Sequence, residues 1–270
     1  MKAQPDRQSA VTETVTLLTA SDLHRSKKLY EQLRIAVTKH RPDVLALLGD
    51  FLDATNDDED GKWSAEDCAQ FLSRLPCPEV VFIRGNHEDS AIWTFGRAWQ
   101  ESGKEFHLLE GKCFAYGPLT LVGFPCLMEY GDGLFGDFPS DSERWLPKLI
   151  RPFGPAARVL WLMHEPPHST PLSQSAGPLS GHVEWMEAIE RFFPKLVIFG
   201  HDHTTPTRQG QWHHTLSNGT VCVNVGQSTN GPLHYCVVKM EFTSALPSLP
   251  NCVTIMAMPG GKRLSIPHVR

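Results

Sequence analysis

The chain has 270 residues, of which 41% are hydrophobic and 20% charged, and its formal net charge is −5. That length supports one large core or at most two modest domains, and the composition excludes a disordered or low-complexity chain. A net negative charge without a basic stripe argues against stable nucleic-acid binding, and an anionic substrate would need a local positive centre.

The N-terminal MKAQPDRQSAVTETV lacks the apolar run of a signal peptide. Apolar runs such as VLALLG fall far short of the roughly 20 residues that span a bilayer. Seven dispersed cysteines, odd in number and without a CxxC pair, read as reduced thiols. The expectation is a soluble, cytoplasmic protein with no membrane partner. Residues 1–13 are expected to be disordered, 14–260 to form a single domain, and 261–270 to be a C-terminal tail.

Short β-type runs recur, and each ends in side chains that can hold a ligand. VTLLTASDLH (15–24) runs out into Asp22 and His24, and VLALLGD (44–50) into Asp50. EVVFIRGNHE (79–88) ends in Asn86 and His87, RVLWLMH (158–164) in His164, and KLVIFGHDH (195–203) in His201 and His203. The runs are continuous rather than alternating, as in strands buried on both faces. Helical stretches lie between them. SKKLYEQLRIAVTKH (26–40) puts Leu29, Leu33, Ala36 and Val37 on one face. WSAEDCAQFLSRL (63–75) starts at a Ser64 cap, with Asp67 three residues on. Residues 125–157, rich in Gly, Pro, Asp and aromatics, read as a loop or cap with one short helix near 141–150. HVEWMEAIERFF (182–193) spaces Val183, Met186, Ile189 and Phe193 as a helix face. This alternation predicts an α/β architecture. Beyond residue 220 the runs TVCVNVG, HYCVVKMEF and NCVTIMAM follow without a helix, which predicts a second sheet region.

In open α/β sheets, ligand sites gather at the carboxyl ends of strands, so the polar clusters should converge. Thirteen histidines are about double ordinary usage. Nitrogen and oxygen donors without thiolate suit ions such as Mn²⁺, Fe²⁺/Fe³⁺, Zn²⁺ or Co²⁺. A protease-like alternative is written in His164-Glu165-Pro166-Pro167-His168, which matches H-E-x-x-H. That zinc site needs both histidines on one helical turn. Each proline in a helix interior costs about 3 kcal/mol, and two in succession exclude it.

D-x-H (Asp22, His24), G-D (Asp50), G-N-H-E (Asn86, His87, Glu88), a lone His164 and G-H-x-H (His201, His203) occur in that order. This series resembles the calcineurin-like metallophosphoesterases over roughly residues 15–230. On composition alone GNHE would arise in about one such chain in a thousand. The resemblance implies a four-layer α/β/β/α sandwich with two mixed β-sheets. It implies two metal ions, of Mn, Fe or Zn: Asp22, His24 and His203 on the first, Asn86, His164 and His201 on the second, and Asp50 bridging them. Two divalent ions against two carboxylates leave a centre of about +2, which would lower the pKa of water and grip a phosphate. A metal-bridging hydroxide would then attack phosphorus directly, with no phosphoenzyme intermediate. His87 is the expected general acid, since imidazolium can protonate a leaving alkoxide near neutrality. Asp53 in GDFLD matches the second Asp of G-D-x-x-D in Ser/Thr protein phosphatases, where it pairs with that histidine. Its alternative is a helix or loop cap.

Asn86, His87 and Arg25 are candidate substrate contacts, Arg84 a weaker one, and His168 and His182 lie close enough in sequence to touch substrate. Asp202 is expected to point away from the metals, and Asn224 to be structural. Ala54-Thr55 stands where Ser/Thr protein phosphatases carry the Arg-Gly whose Arg holds phosphate. The pattern therefore looks closer to the small stand-alone phosphodiesterases and phosphatases, acting on a small molecule or nucleotide. Protein phosphatase activity and a metal-binding scaffold without catalysis are the alternatives. Intact ligand positions and His87 favour catalysis. The resemblance also allows a homodimer.

Overall fold

The computed structural model describes residues 12–53, 62–88, 90–124, 126, 147–148, 150–174, 181–228, 230–244 and 246–267. Its strands form two mixed sheets. The first runs β13-β12-β11-β1-β2-β3-β4, with β1 Thr12–Ala20, β2 Val44–Leu48, β3 Glu79–Ile83, β4 His107–Leu108, β11 Tyr235–Thr243, β12 Leu246–Met258 and β13 Lys262–Pro267. The second runs β5-β6-β7-β8-β10-β9, with β5 Lys112–Tyr116, β6 Leu119–Gly123, β7 Leu160–Leu162, β8 Leu196–Phe199, β9 His213–Thr215 and β10 Val221–Asn224. Strands β1 to β4 are mutually parallel, as are β6, β7, β8 and β10.

Three buried clusters separate four layers. In β2, Leu45 and Leu47 face the helices α1 (Lys27–His40), α2 (Ala65–Ser73) and α3 (Ala91–Glu101). Val44, Ala46 and Leu48 face the other sheet. In β8, Leu196 and Ile198 join that middle core, while Val197 and Phe199 pack against α4 (Val183–Phe192). Successive side chains leave a strand on opposite faces, so a continuous apolar run feeds two cores at once. This is the α/β/β/α sandwich.

The helix ends follow their side chains. The Ser26 hydroxyl accepts from the Leu29 N–H at the start of α1. Ser64 and Asp67 form a reciprocal capping box on α2. The buried face of α1 is the predicted one, with Tyr30 added.

Three expectations need correction. In α4 the buried residues are Trp185, Ala188, Ile189 and Phe192, whereas Val183 and Phe193 are exposed. Trp185 has the larger apolar surface to bury, and Phe193 lies beyond the last turn, at the left-handed cap. The C-terminal strands do not form one separate sheet. β10 joins the second sheet beside β8, and β11 to β13 return to extend the first beside β1. The expected tail therefore contains β13, where Leu264 and Ile266 pack on the middle core. At the other end β1 already begins at Thr12, and residues 1–11 lie outside the described region, as do most of 125–157. None of the seven cysteines, all of them among the described residues, is in a disulfide, and five are buried. Among the described residues no helix is long and apolar enough to cross a membrane.

Candidate metal centre

The carboxyl ends of β1, β2, β3, β7 and β8 carry the polar clusters into one site. Strands β1 and β2 stay zipped beyond their ends: Asp22 N–H donates to Gly49 O (3.0 Å) and His24 N–H to Asp50 O (2.8 Å). Asp22, His24, Asp50 and His201 all have left-handed backbone, with φ of 57, 45, 51 and 66°. Non-glycine residues rarely adopt that region, and such strain concentrates where side chains must be aimed. Glycines make room for the convergence. A Cβ on Gly85 would lie 2.2 Å from Asp50 Oδ1 and 2.7 Å from His164 Cε1.

Two groups of donor atoms meet there. In the first, His203 Nε2 lies 3.1 Å from Asp22 Oδ1 and 3.4 Å from His24 Nε2. In the second, Asn86 Oδ1 lies 3.1 Å from both His164 Nε2 and His201 Nδ1, which are 3.2 Å apart. Asp50 Oδ2 is shared, 4.0 Å from His24 Nε2 and 3.4 Å from His164 Nε2. Donors on one ion, with bonds of about 2.1 Å at 90–109°, sit about 3.0–3.4 Å from one another. Apart from the 4.0 Å between His24 and Asp50, the spacings match that range, and the two groups, which share Asp50, could hold metal.

Tautomers are set from behind. His164 Nδ1–H donates to Leu48 O at 2.8 Å, so the Nε2 lone pair faces the cluster. His24 Nδ1–H donates to Asp53 Oδ1 at 2.8 Å and likewise frees its Nε2. Burial opposes charge on His164, yet Asp50 beside it and Asp22 beyond raise its pKa to about 10. The carboxylate field thus favours a cation at this nitrogen. Burial also works against charge on Asp50, and His164 and His24 outweigh it to hold the carboxyl far below its usual range.

All seven expected ligand residues and His87 come together. The half-buried His87 ring lies edge-on to His24, with centroids 5.0 Å apart, and its backbone N–H donates to Asp50 Oδ1. Two site expectations are revised. Asp53 lies within reach of His87 but bonds His24, because the Nδ1–H of that ring is the nearer donor. Its pKa is held at about 2: burial would raise it, and bonds from His24 and Lys62 prevail. Arg25 is 1% exposed, with Nε 3.6 Å from Asp53 Oδ2, so its guanidinium lies beneath the site rather than in contact with substrate. Arg84 is buried against Glu110 in a two-pronged ion pair. His182 pairs with Glu165 at 3.4 Å.

Asp202 does point away, accepting from Thr204, Thr205 and Gln174 backbone N–H groups. Asn224 is structural too, donating to Leu172 O and accepting from Gly226 N–H. Two residues gain roles that sequence reading did not assign. Glu88, fully buried, accepts N–H bonds from Asp50, Leu52 and Gly85 and so ties the ends of β2 and β3 together. Burial and then the Asp50 charge push its carboxyl up to about 7. Its place inside GNHE was the available signal. Lys62, 2.8 Å from Asp53 Oδ2, had none.

The calcineurin-like phosphoesterase family model matches residues 15–205, and the chain belongs to that family. Similar solved structures include a dimetal phosphatase from Danio rerio, 13% identical, with a TM-score of 0.61 over 94% of this chain and 99% of that one. Another is the calcineurin-like phosphoesterase YfkN from Bacillus subtilis, 14% identical, with a TM-score of 0.56 over 95% and 91%. A third, the protein TT1561 of Thermus thermophilus, is 15% identical, with a TM-score of 0.59 over 96% and 100%. Among curated proteins no sequence matches the chain.

Proposed function

We propose that the chain is a two-metal hydrolase of small-molecule or nucleotide phosphoesters. The observation that carries this reading is the sharing of Asp50 between two donor groups. Asp22, His24 and His203 would hold one ion, Asn86, His164 and His201 the other, and Asp50 both. Bound there, two ions of Mn, Fe or Zn would supply positive charge to the phosphoryl oxygens and a lowered pKa to water, for direct attack on phosphorus.

The remaining work falls to the chain. His87 stands at the rim, its backbone fixed by the N–H bond to Asp50, and delivers a proton to the leaving oxygen. Asn86 and His87 contact the phosphoryl group. Asp53 holds the His24 ring in its ligating tautomer. Glu88 keeps the two strand-end loops in register.

A panel of metals against substrates tests the reading. Metal-free protein is loaded with Mn²⁺, Zn²⁺ or Fe²⁺ and assayed with p-nitrophenyl phosphate, bis-p-nitrophenyl phosphate and cyclic nucleotides. Turnover under at least one ion, lost on chelation, is expected. No turnover under any ion would refute it.

A further inference from the structure

We infer that the protein carries a second binding site, a pocket at the crossing between the two sheets that takes a one- or two-ring aromatic molecule offering an N–H or O–H donor to His234. The site lies outside the metal centre and does not rest on the phosphoesterase reading.

The pocket has a volume of about 270 Å³, and its walls include Pro206, Trp212, Pro232, His234, Met258 and Pro259. An apolar cavity of about 150 Å³ holds benzene, so this one has room for a fused pair of rings. The walls meet only in the fold. Pro206 lies in the short helix Thr205–Arg208. Trp212 is tied to β10, its carbonyl accepting the Asn224 N–H at 2.9 Å. His234 precedes β11, and Met258 ends β12 opposite Tyr235. Proline and indole faces suit a flat ring. None of the described lining residues belongs to the donor groups of the metal centre.

His234 supplies the polar point of the pocket. The residue is buried, and its ring is fixed from behind: Nδ1–H donates to Gly226 O at 3.2 Å, and the backbone N–H donates to Gln227 Oε1 at 2.8 Å. That tautomer makes the other ring nitrogen, Nε2, an acceptor. Burial presses the His234 pKa down to about 4, so at neutral pH the Nε2 lone pair carries no proton. Among the described residues no group donates to Nε2. The atom is nevertheless not sealed inside the protein, and the pocket is the space it opens to. A water held there would need about two to four polar partners, and the surrounding walls are mostly apolar. A ligand donor therefore satisfies this acceptor better than water does, while the ring of the ligand covers the apolar walls.

The test titrates the protein, in the presence of Zn²⁺, with indole and with benzofuran, which has the same shape but a ring oxygen in place of the N–H. Binding is read from the tryptophan side-chain N–H resonances, with Trp212 assigned through Trp212→Phe. Indole should shift the Trp212 signal saturably, with a dissociation constant of about 1 mM or tighter. Benzofuran should bind at least about tenfold more weakly, as expected for one lost hydrogen bond. Ala257 is a buried wall residue. Ala257→Leu fills part of the pocket and should weaken indole by at least about tenfold while keeping the circular dichroism of wild type. His234→Phe should bring indole to within about threefold of benzofuran. Saturating inorganic phosphate should leave indole binding unchanged. No saturable shift, equal affinities for the two probes in wild type, undiminished binding in Ala257→Leu, or competition by phosphate would each overturn the inference.

Discussion

At the scale of single residues, the centre is organised by carboxylates that are not themselves expected ligands. Asp53 is the clearest. It sits behind His24, accepting from Nδ1 at 2.8 Å, and so decides which nitrogen faces the donor cluster. Outer partners of this kind commonly contribute 10- to 100-fold to metal affinity. Under the proposed two-ion reading, Asp53→Ala should weaken one ion by about that factor and leave the other within a few-fold. Calorimetric titration of metal-free protein would resolve the two binding steps. Two unchanged affinities would show that packing alone holds the His24 ring. The sequence placed Asp53 near the chemistry through GDFLD, but assigned it to His87. The choice between two imidazoles a few ångströms apart depends on loop curvature, and no residue pattern encodes that. Glu88 illustrates the converse. Its three N–H partners lie in two strand-end loops, so its role appears only once β2 and β3 are side by side.

At the scale of elements, the strand ends determine what the site tolerates. Gly85 follows β3 where the chain crosses Asp50 and His164, and a Cβ there would stand 2.2 Å from Asp50 Oδ1. No side chain can approach that closely, so Asp50 or the loop must move. Misplacement of about 1 Å can cost 100-fold in rate. Gly85→Ala should lose at least about that much in kcat/KM while keeping its far-UV circular dichroism. An active variant would show that the loop yields without disturbing Asp50. Helix α4 shows why helix faces are harder to read than strand ends. Both Val183-Met186-Ile189-Phe193 and Trp185-Ala188-Ile189-Phe192 have helical spacing, and they share only Ile189. Burial picks the stripe that carries Trp185, at 2% exposure, and leaves Val183 at 48%. Trp185→Ala should cost about 3–5 kcal/mol in urea unfolding, and Val183→Ala less than about 0.5 kcal/mol. Similar costs for the two would contradict the assigned face.

For the molecule as a whole, the layered α/β character was legible because strands buried on both faces need continuous apolar runs. The convergence of polar side chains was legible because each run stops at one or two polar residues. The return path of the chain was not. Nothing in HYCVVKMEF distinguishes a new sheet from the addition of β11 to β1, since that pairing joins residues more than 200 positions apart. The crossing from β10 in one sheet to β11 in the other is held by a buried polar relay. Gln227 donates to Ser21 O, beside β1, and accepts the His234 N–H. The His234 Nδ1–H donates to Gly226 O at 3.2 Å. Burial presses the His234 pKa down to about 4, against backbone bonds that pull upward. Above pH 6.5 the ring is neutral both folded and unfolded and adds no pH dependence. Between 6.5 and 4 the unfolded chain binds a proton that the folded ring refuses, so stability falls as pH falls. Below 4 both forms are charged and the loss is complete. Metal-free protein at pH 4.5 should therefore lose roughly 2–3 kcal/mol from this one group relative to pH 7. His234→Gln keeps a side chain of similar reach without the titration. In urea unfolding at the two pH values, its acid loss should be smaller than that of wild type by that amount. Identical losses would mean that His234 is protonated in the folded relay, and that the crossing between the sheets is more open to water than its 6% exposure indicates.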